Sequence, residues 1–161
     1  MLGYVEIRGS NNKILLGENV RFSGKIFAKG NNQTLVIGAG SSLRDTYVVM
    51  QENCDISIGA DCLISRGVEI RTSDAHSIIN AETGRRVNMP SSVSIGDHVW
   101  VGARAFISKG SNISPNSVVG AMSFVGSSFT EPGVVIAGVP AKIVKRHIDW
   151  RTERRSRFNL D

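Results

Sequence analysis

The sequence predicts an all-β chain wound into a parallel β-helix of about five triangular coils. Three observations lead there. The first is a period of six: Ile95, Val101, Ile107, Ile113, Val119 and Val125 follow one another without a slip, and Gly or Ser stands directly after each. The second is composition, with 17 glycines beside only 6% aromatic residues and an apolar fraction drawn mostly from Val, Ile and Ala. The third is what the period excludes. Six residues fit neither the 3.6-residue turn of a helix nor the simple alternation of a hairpin.

Taken in order, the frame begins weakly at Leu16 and Phe22, continues through Ile37, Leu43 and Val49, and sharpens at Ile58, Ile64 and Ile70. Each break in register marks an insertion at a corner. Small or β-branched residues stand two places before the hexad residue, as at Val93, Val99, Ala105, Ser111, Ser117 and Ser123. The unit is therefore a short strand and a corner. Three such units close a coil of about 18 residues, and coils stacked about 4.8 Å apart pair their strands in parallel. Glycine is expected at the corners, where φ is positive or backbones approach closely. Cys54 and Cys62 match neither a zinc ribbon nor a redox pair and are read as small apolar core residues.

At 161 residues the chain is the size of one domain with a continuous core. The β-helix is assigned to residues 1–141, with an excursion over about 71–92, and a basic C-terminal helix or tail to 142–161. No apolar run reaches about 18 residues, and the first residues carry no signal-peptide pattern, so a soluble cytoplasmic protein without a transmembrane segment is expected. The net charge of +5 is concentrated at the end, where Lys142, Lys145, Arg146, Arg151, Arg154, Arg155 and Arg157 face Asp149, Glu153 and Asp161. Such a tail suits phosphates, an anionic membrane surface or solvent equally. Nucleic acid is not expected, because no aromatic-interleaved strand or groove-reading helix accompanies the charge.

Between Ile70 and Ile95 the frame fails, over Arg71-Thr-Ser-Asp-Ala-His-Ser-Ile-Ile-Asn-Ala-Glu-Thr-Gly-Arg-Arg-Val-Asn-Met-Pro90. A loop of that length in a solenoid is usually functional or disordered. Thr83-Gly84 and Pro90 place it at the surface, and it holds His76, the one histidine at the point where a coil leaves the wall.

The unbroken hexads resemble the hexapeptide-repeat acyltransferases, over roughly residues 14 to 146. Thr72-Ser73-Asp74-Ala75-His76-Ser77-Ile78, followed by Val93-Ser94-Ile95-Gly96-Asp97-His98-Val99-Trp100-Val101-Gly102-Ala103, is similar to the galactoside, maltose, xenobiotic and capsule or lipopolysaccharide sugar O-acetyltransferases of that family. The resemblance implies left-handed coils, acetyl-CoA as co-substrate, no metal, and a homotrimer with sites between subunits. It implies His76 as the general base that takes the acceptor's proton as the hydroxyl attacks the thioester, a role for which an imidazole is suited near neutral pH. It places the cofactor along Gly102, Ala103, Gly120 and Ala121, with an oxyanion-stabilising backbone N–H at Ala103.

Around these, Asp74 is a candidate to orient His76, with a local turn as the alternative. Trp100 lies between the core residues Val99 and Val101, so alternation puts it outside, where it can meet a sugar face or the pantetheine arm. Asn88, in Arg86-Val87-Asn88, resembles an acceptor contact. Gly133-Val-Val-Ile-Ala-Gly-Val-Pro-Ala-Lys-Ile-Val-Lys-Arg146 resembles the family's closing motif, a turn into a terminal helix. It sets Lys142, Lys145 and Arg146 where coenzyme A phosphates could lie.

The leading expectation is acetyl transfer to a sugar or polysaccharide-precursor hydroxyl. An amino nucleotide-sugar acceptor would use the same base and groove. A non-catalytic scaffold needs only the coil. A γ-type carbonic anhydrase, which shares the coil, needs two histidines five residues apart, and His76, His98 and His147 do not supply them.

Overall fold

The computed structural model describes residues 2–153. Long strands come first: β1 (Leu2–Arg8), β2 (Lys13–Leu16), β3 (Arg21–Lys29), β4 (Thr34–Ile37) and β5 (Ser42–Gln51). Then come β6 (Ile56–Ile58), β7 (Leu63–Ile64) and β8 (Glu69–Arg71), after which the chain leaves the wall. It returns at β9 (Val93–Ile95) and runs through β10 (Trp100–Val101), β11 (Phe106–Ile107), β12 (Asn112–Ile113), β13 (Val118–Val119), β14 (Phe124–Val125) and β15 (Ser128–Phe129). Strands β16 (Val135–Gly138) and β17 (Ala141–Lys145) follow.

These form a parallel β-solenoid with three walls. The first wall is β2, β4, β6, β9, β12 and β15. The second holds the opening residues of β3 and β5, then β7, β10, β13 and β16; the third holds β1, the rest of β3 and β5, then β8, β11 and β14. Because β3 and β5 bend over a corner, the second and third walls share one hydrogen-bonded sheet. Each wall is six strands deep, one coil more than the hexads predict. The additional coil starts with β1, which pairs with β3 from Leu2↔Ser23 to Arg8↔Lys29 without carrying the hexad frame.

Burial explains the frame. Val101, Ile107, Ile113, Val119 and Val125 are fully buried, and the residues two places before them, Val99, Ala105, Ser111, Ser117 and Ser123, are each at most 2% exposed. Each strand thus points two side chains inward. Where the second is a serine its hydroxyl is satisfied: Ser111 Oγ donates to Val125 O at 3.0 Å, and Ser123 Oγ accepts from Gly138 N at 3.1 Å. Cys62 is buried and Cys54 half-buried, both as free thiols.

The corners differ in detail from expectation. Positive φ is supplied by glycine at some corners, as at Gly40, Gly67 and Gly110, and nearly as often by Asn and Asp, as at Asn19, Asp61 and Asn116, residues that tolerate the left-handed region through local hydrogen bonding. The glycine after the hexad residue serves close stacking instead. A Cβ on Gly102 would lie 2.5 Å from Ala121 N of the next coil.

The C-terminal helix predicted from residue 142 is replaced by a strand. After Gly138-Val139-Pro140 the chain doubles back, and β17 pairs antiparallel with β16, Ile143 facing Ile136. Ile143 packs on the core and Ala141 is buried, so alternation holds this segment to the wall where a helix would expose one of them. Residues 146–153 run without regular structure. Arg154, Arg155 and Arg157 of the basic tail lie outside the described residues.

Candidate active site

The excursion after β8 is an ordered arm. Its base is tied at Thr72, whose Oγ1 donates to Gln51 O at 3.0 Å and whose carbonyl accepts from Ser91 N at 3.0 Å. Its two sides pair in antiparallel fashion, with Val87 N donating to Ile78 O and Asn80 N to Arg85 O, both at 2.8 Å. At the tip Asn80 Oδ1 accepts from Glu82 N and Thr83 N, and Gly84 takes φ +66 to reverse the chain. Ile78, Ile79, Val87 and Met89 are left exposed along it.

Two polar clusters fix the arm to the coil. Glu52, on the corner after β5, receives Arg86 through both guanidinium Nη atoms and Ser73 through its hydroxyl. Arg86, and then Ser73, hold the Glu52 carboxyl down to about 2. The second cluster centres on Asn88, which is buried. Its Oδ1 accepts from Ile78 N at 2.7 Å, while its Nδ2 donates to Asp74 Oδ2 and to His76 O, each at 2.8 Å. Asp74 Oδ2 also accepts from Lys109 Nζ at 2.5 Å, and Lys109, with Asn88, keeps the Asp74 carboxyl below its usual range.

His76 is therefore held by its main chain. Its carbonyl is bound by Asn88, the preceding Ala75 takes φ +66, and among the described residues its exposed imidazole makes no hydrogen bond. Asp74 makes no hydrogen bond to the ring; Lys109 and Asn88 both bind its Oδ2. Asn88 has its amide engaged inside the arm on both sides, so it braces the backbone of the histidine.

On the second wall Trp100 is 39% exposed between buried Val99 and Val101, as alternation requires. Its Nε1 donates to Ser65 Oγ at 3.2 Å on the neighbouring coil. Trp150, from the irregular C-terminal segment, packs 6.1 Å from the Trp100 ring, stacks on His98 at 4.3 Å and donates its Nε1 to His98 O at 2.8 Å. Gly102, Ala103, Gly120 and Ala121 sit at the corner between the second and third walls, with Ala103 and Ala121 exposed. Strand β17 carries Lys142 opposite Ala137, the residue that stacks on Gly120, and so continues the same corner. Lys145 is exposed further along β17, and Arg146 pairs with Glu131 at 3.1 Å.

His76 and Ala103 belong to different corners of one chain. The arm leaves where the third wall meets the first, and the third wall, roughly 15 Å of extended chain, stands between them. Sequence reading missed Lys109, Glu52 and Arg86, which carry no motif and acquire their roles only by facing the arm. Trp150, a large aromatic inside a charged segment, was a readable sign of an anchor. Among the described residues no three His, Cys, Asp or Glu side chains gather as metal ligands, and no helix is long and apolar enough to cross a membrane.

No family profile matches the chain. The polysialic acid O-acetyltransferase of Neisseria meningitidis is 38% identical over 146 residues, 91% of this chain and 68% of the relative. The chain belongs to the hexapeptide-repeat acyltransferase family. A polysialic acid O-acetyltransferase of Escherichia coli O1:K1 is 34% identical over 88% of the chain, which spans 46% of that relative. Among solved structures, the polySia-specific acetyltransferase NeuO superposes with a TM-score of 0.72 at 26% identity, covering 98% of this chain and 92% of that one. The polysialic acid O-acetyltransferase OatWY gives 0.64 at 27%, covering 98% and 95%. Membership makes this chain an acyltransferase and places it beside the sugar and capsule O-acetyltransferases.

Proposed function

We propose that the chain transfers an acetyl group from acetyl-CoA to a hydroxyl of a sugar or polysaccharide precursor, with His76 as general base. The observation that carries this is the arm itself, which fixes the His76 backbone through Asn88 and leaves the imidazole exposed and uncommitted. In the reaction the acceptor oxygen attacks the thioester carbonyl carbon, its proton passes to the imidazole, and the carbon–sulfur bond breaks as the coenzyme A thiol is regenerated. No covalent enzyme intermediate is required. The exposed Ala103 N–H corner offers donors for the developing oxyanion, and a rigid solenoid wall keeps them in place. Small side chains at Ala103 and Ala121 leave room for the pantetheine arm, with Lys142 and Lys145 toward the phosphates. Arg146 is already paired with Glu131 and contributes less.

Since His76 and Ala103 occupy different corners of one chain, the site forms between copies, His76 of one facing the Ala103 corner of the next in a homotrimer. The coils are taken to wind left-handed as in the family, and the donor places the reaction in the cytoplasm. The test is complementation. His76→Ala and Ala103→Trp are each expected to be inactive with acetyl-CoA and a glycan acceptor, and co-expressing them is expected to restore a fraction of the activity, because mixed trimers contain some intact interfaces. Inactivity of every mixture, with trimers verified by light scattering, overturns the shared site. Full activity of His76→Ala alone overturns the mechanism.

A further inference from the structure

Trp150 is the one buried residue between Lys142 and Glu153, yet it takes no part in the solenoid core. Its segment, without regular structure, runs down the corner between the first and second walls. Ile148 ties the segment there, donating its N–H to Gly133 O at 3.0 Å. Two residues on, the Trp150 indole lies flat on the His98 ring, centroids 4.3 Å apart and planes 12° from parallel, with Nε1 donating to His98 O at 2.8 Å.

The shelf under the indole is itself held. Stacked places on this corner are filled by Asn19, Gly40, Asp61 and Asn116, all at positive φ, and His98 takes the same conformation at φ 53. Its Nδ1 stands 3.1 Å from Asn116 Oδ1 and 3.8 Å from Asp149 Oδ1. The imidazole is thus fixed both from the wall and from the segment, and the indole resting on it is fixed in turn. That indole meets the Trp100 ring, 6.1 Å away and tilted by 47°, within the range of a favourable aromatic pair.

Trp100 has need of such a neighbour. The outward residues in register with it along the second wall are Ser42, Leu63, Val118 and Val135. All are small or aliphatic, so an exposed ring among them has more than one staggered orientation open to it. Ser65 Oγ, accepting from Trp100 Nε1 at 3.2 Å, holds the ring from the side of the Ala103 corner. Trp150 holds it from the side of the His98 corner.

We propose that Trp150 is a positioning residue for the transfer reaction: it acts through Trp100, keeping that indole in the orientation in which it meets substrate. The inference rests on the reading of Trp100 as a substrate contact. An orientation set in advance spares the cost of ordering the ring when the ligand arrives, so loss of Trp150 weakens transfer without touching the reacting atoms.

Trp100 and Trp150 are the two tryptophans of the chain, so Trp150→Phe and Trp150→Ala each leave Trp100 as its sole indole fluorophore. Time-resolved anisotropy is expected to show the Trp100 ring turning with the whole protein in Trp150→Phe and to gain a nanosecond component in Trp150→Ala. The same decay in both overturns the proposal. With acetyl-CoA, and polysialic acid as the probe acceptor, Trp150→Ala should lower kcat/KM by about three- to tenfold, the scale of one aromatic pair, and Trp150→Phe should recover most of the loss. His98→Ala, which removes the shelf and leaves Trp150 in place, should repeat the loss. In a Trp100→Ala background the Trp150→Ala change should cost less than about twofold, because the ring it acts through is gone. Equal losses in both backgrounds, or a lowered thermal midpoint with unchanged kinetics, make Trp150 a strap only and overturn the proposal. The KM that rises identifies the substrate that Trp100 meets: acetyl-CoA for the pantetheine arm, the probe acceptor for a sugar face. The expected anisotropy pattern without acetyl transfer by the wild type to any glycan would uphold the hold on Trp100 and sink the enzymatic reading; transfer indifferent to Trp150 would do the reverse.

Discussion

The stretch from Val93 to Val125 and the arm from Thr72 to Ser92 are neighbours in sequence and opposites in physics. The first buries two side chains per strand, among them Val99, Val101, Ile107, Ile113, Val119 and Val125, and is held by apolar area removed from water. The second buries almost nothing beyond its base and Asn88, exposes Ile78, Ile79, Val87 and Met89, and is held by Glu52, Asp74, Lys109 and Arg86. The coil is insensitive to charge and intolerant of lost volume. The arm is the reverse, and it carries the histidine.

That contrast can be broken most sharply at the histidine. His76→Ala should lower the transfer rate by about 10²- to 10⁴-fold, the range for a lost general base, while leaving the unfolding midpoint where it was. Kinetics and a thermal melt on the same preparation check both halves. Ile107→Ala should do the opposite, costing about 2–5 kcal/mol of stability because the removed volume lies in a stacked core that relaxes only partly. Urea unfolding reads it, and a loss under about 1 kcal/mol would contradict the packing described here.

Asn88→Leu should leave the melt of the coil nearly intact but strip the His76 carbonyl and the Ile78 amide of their side-chain partner and leave Asp74 with Lys109 alone, at about 1–3 kcal/mol for the local structure. Faster hydrogen exchange at Ile78, with unchanged exchange at Ile113, is the expected pattern. The smallest effect is that of acid. Glu52 is held down to about 2 from an ordinary 4.5, so its ionised form favours the folded arm. That contribution is complete above pH 4.5 and fades as pH falls toward 2. Exchange at Val87 should therefore rise over that window, and Glu52→Gln should reduce the pH dependence to the part that Asp74, also held below its usual range, supplies.

Much of the coil was legible because its rule is local. From Ile95 to Val125 every hexad residue points inward, so this stretch could be placed from spacing alone and Trp100 put outside by alternation, whereas in the weaker upstream frame Leu16 is exposed and Val48, not Val49, stands in register with Ile70. The expected helix after Lys142 failed because Ala141 and Ile143 alternate like a strand and had an open wall beside β16 to join. The contacts of Asp74 and Asn88 were not legible for a different reason. Both lie in the segment where the period is broken, and their partners are chosen by how the arm folds back on itself.

Sequence alone determined that this chain is a solenoid, that the winding is interrupted once at length, and that the interruption holds a histidine. Tertiary structure decided who meets whom. Stacking places residues a full coil or more apart in direct contact, so Lys109 reaches Asp74 and Arg86 reaches Glu52. A six-residue period fixes the inward direction of each side chain. The contacts of the outward ones depend on the length of every corner and excursion between them, which no local pattern encodes.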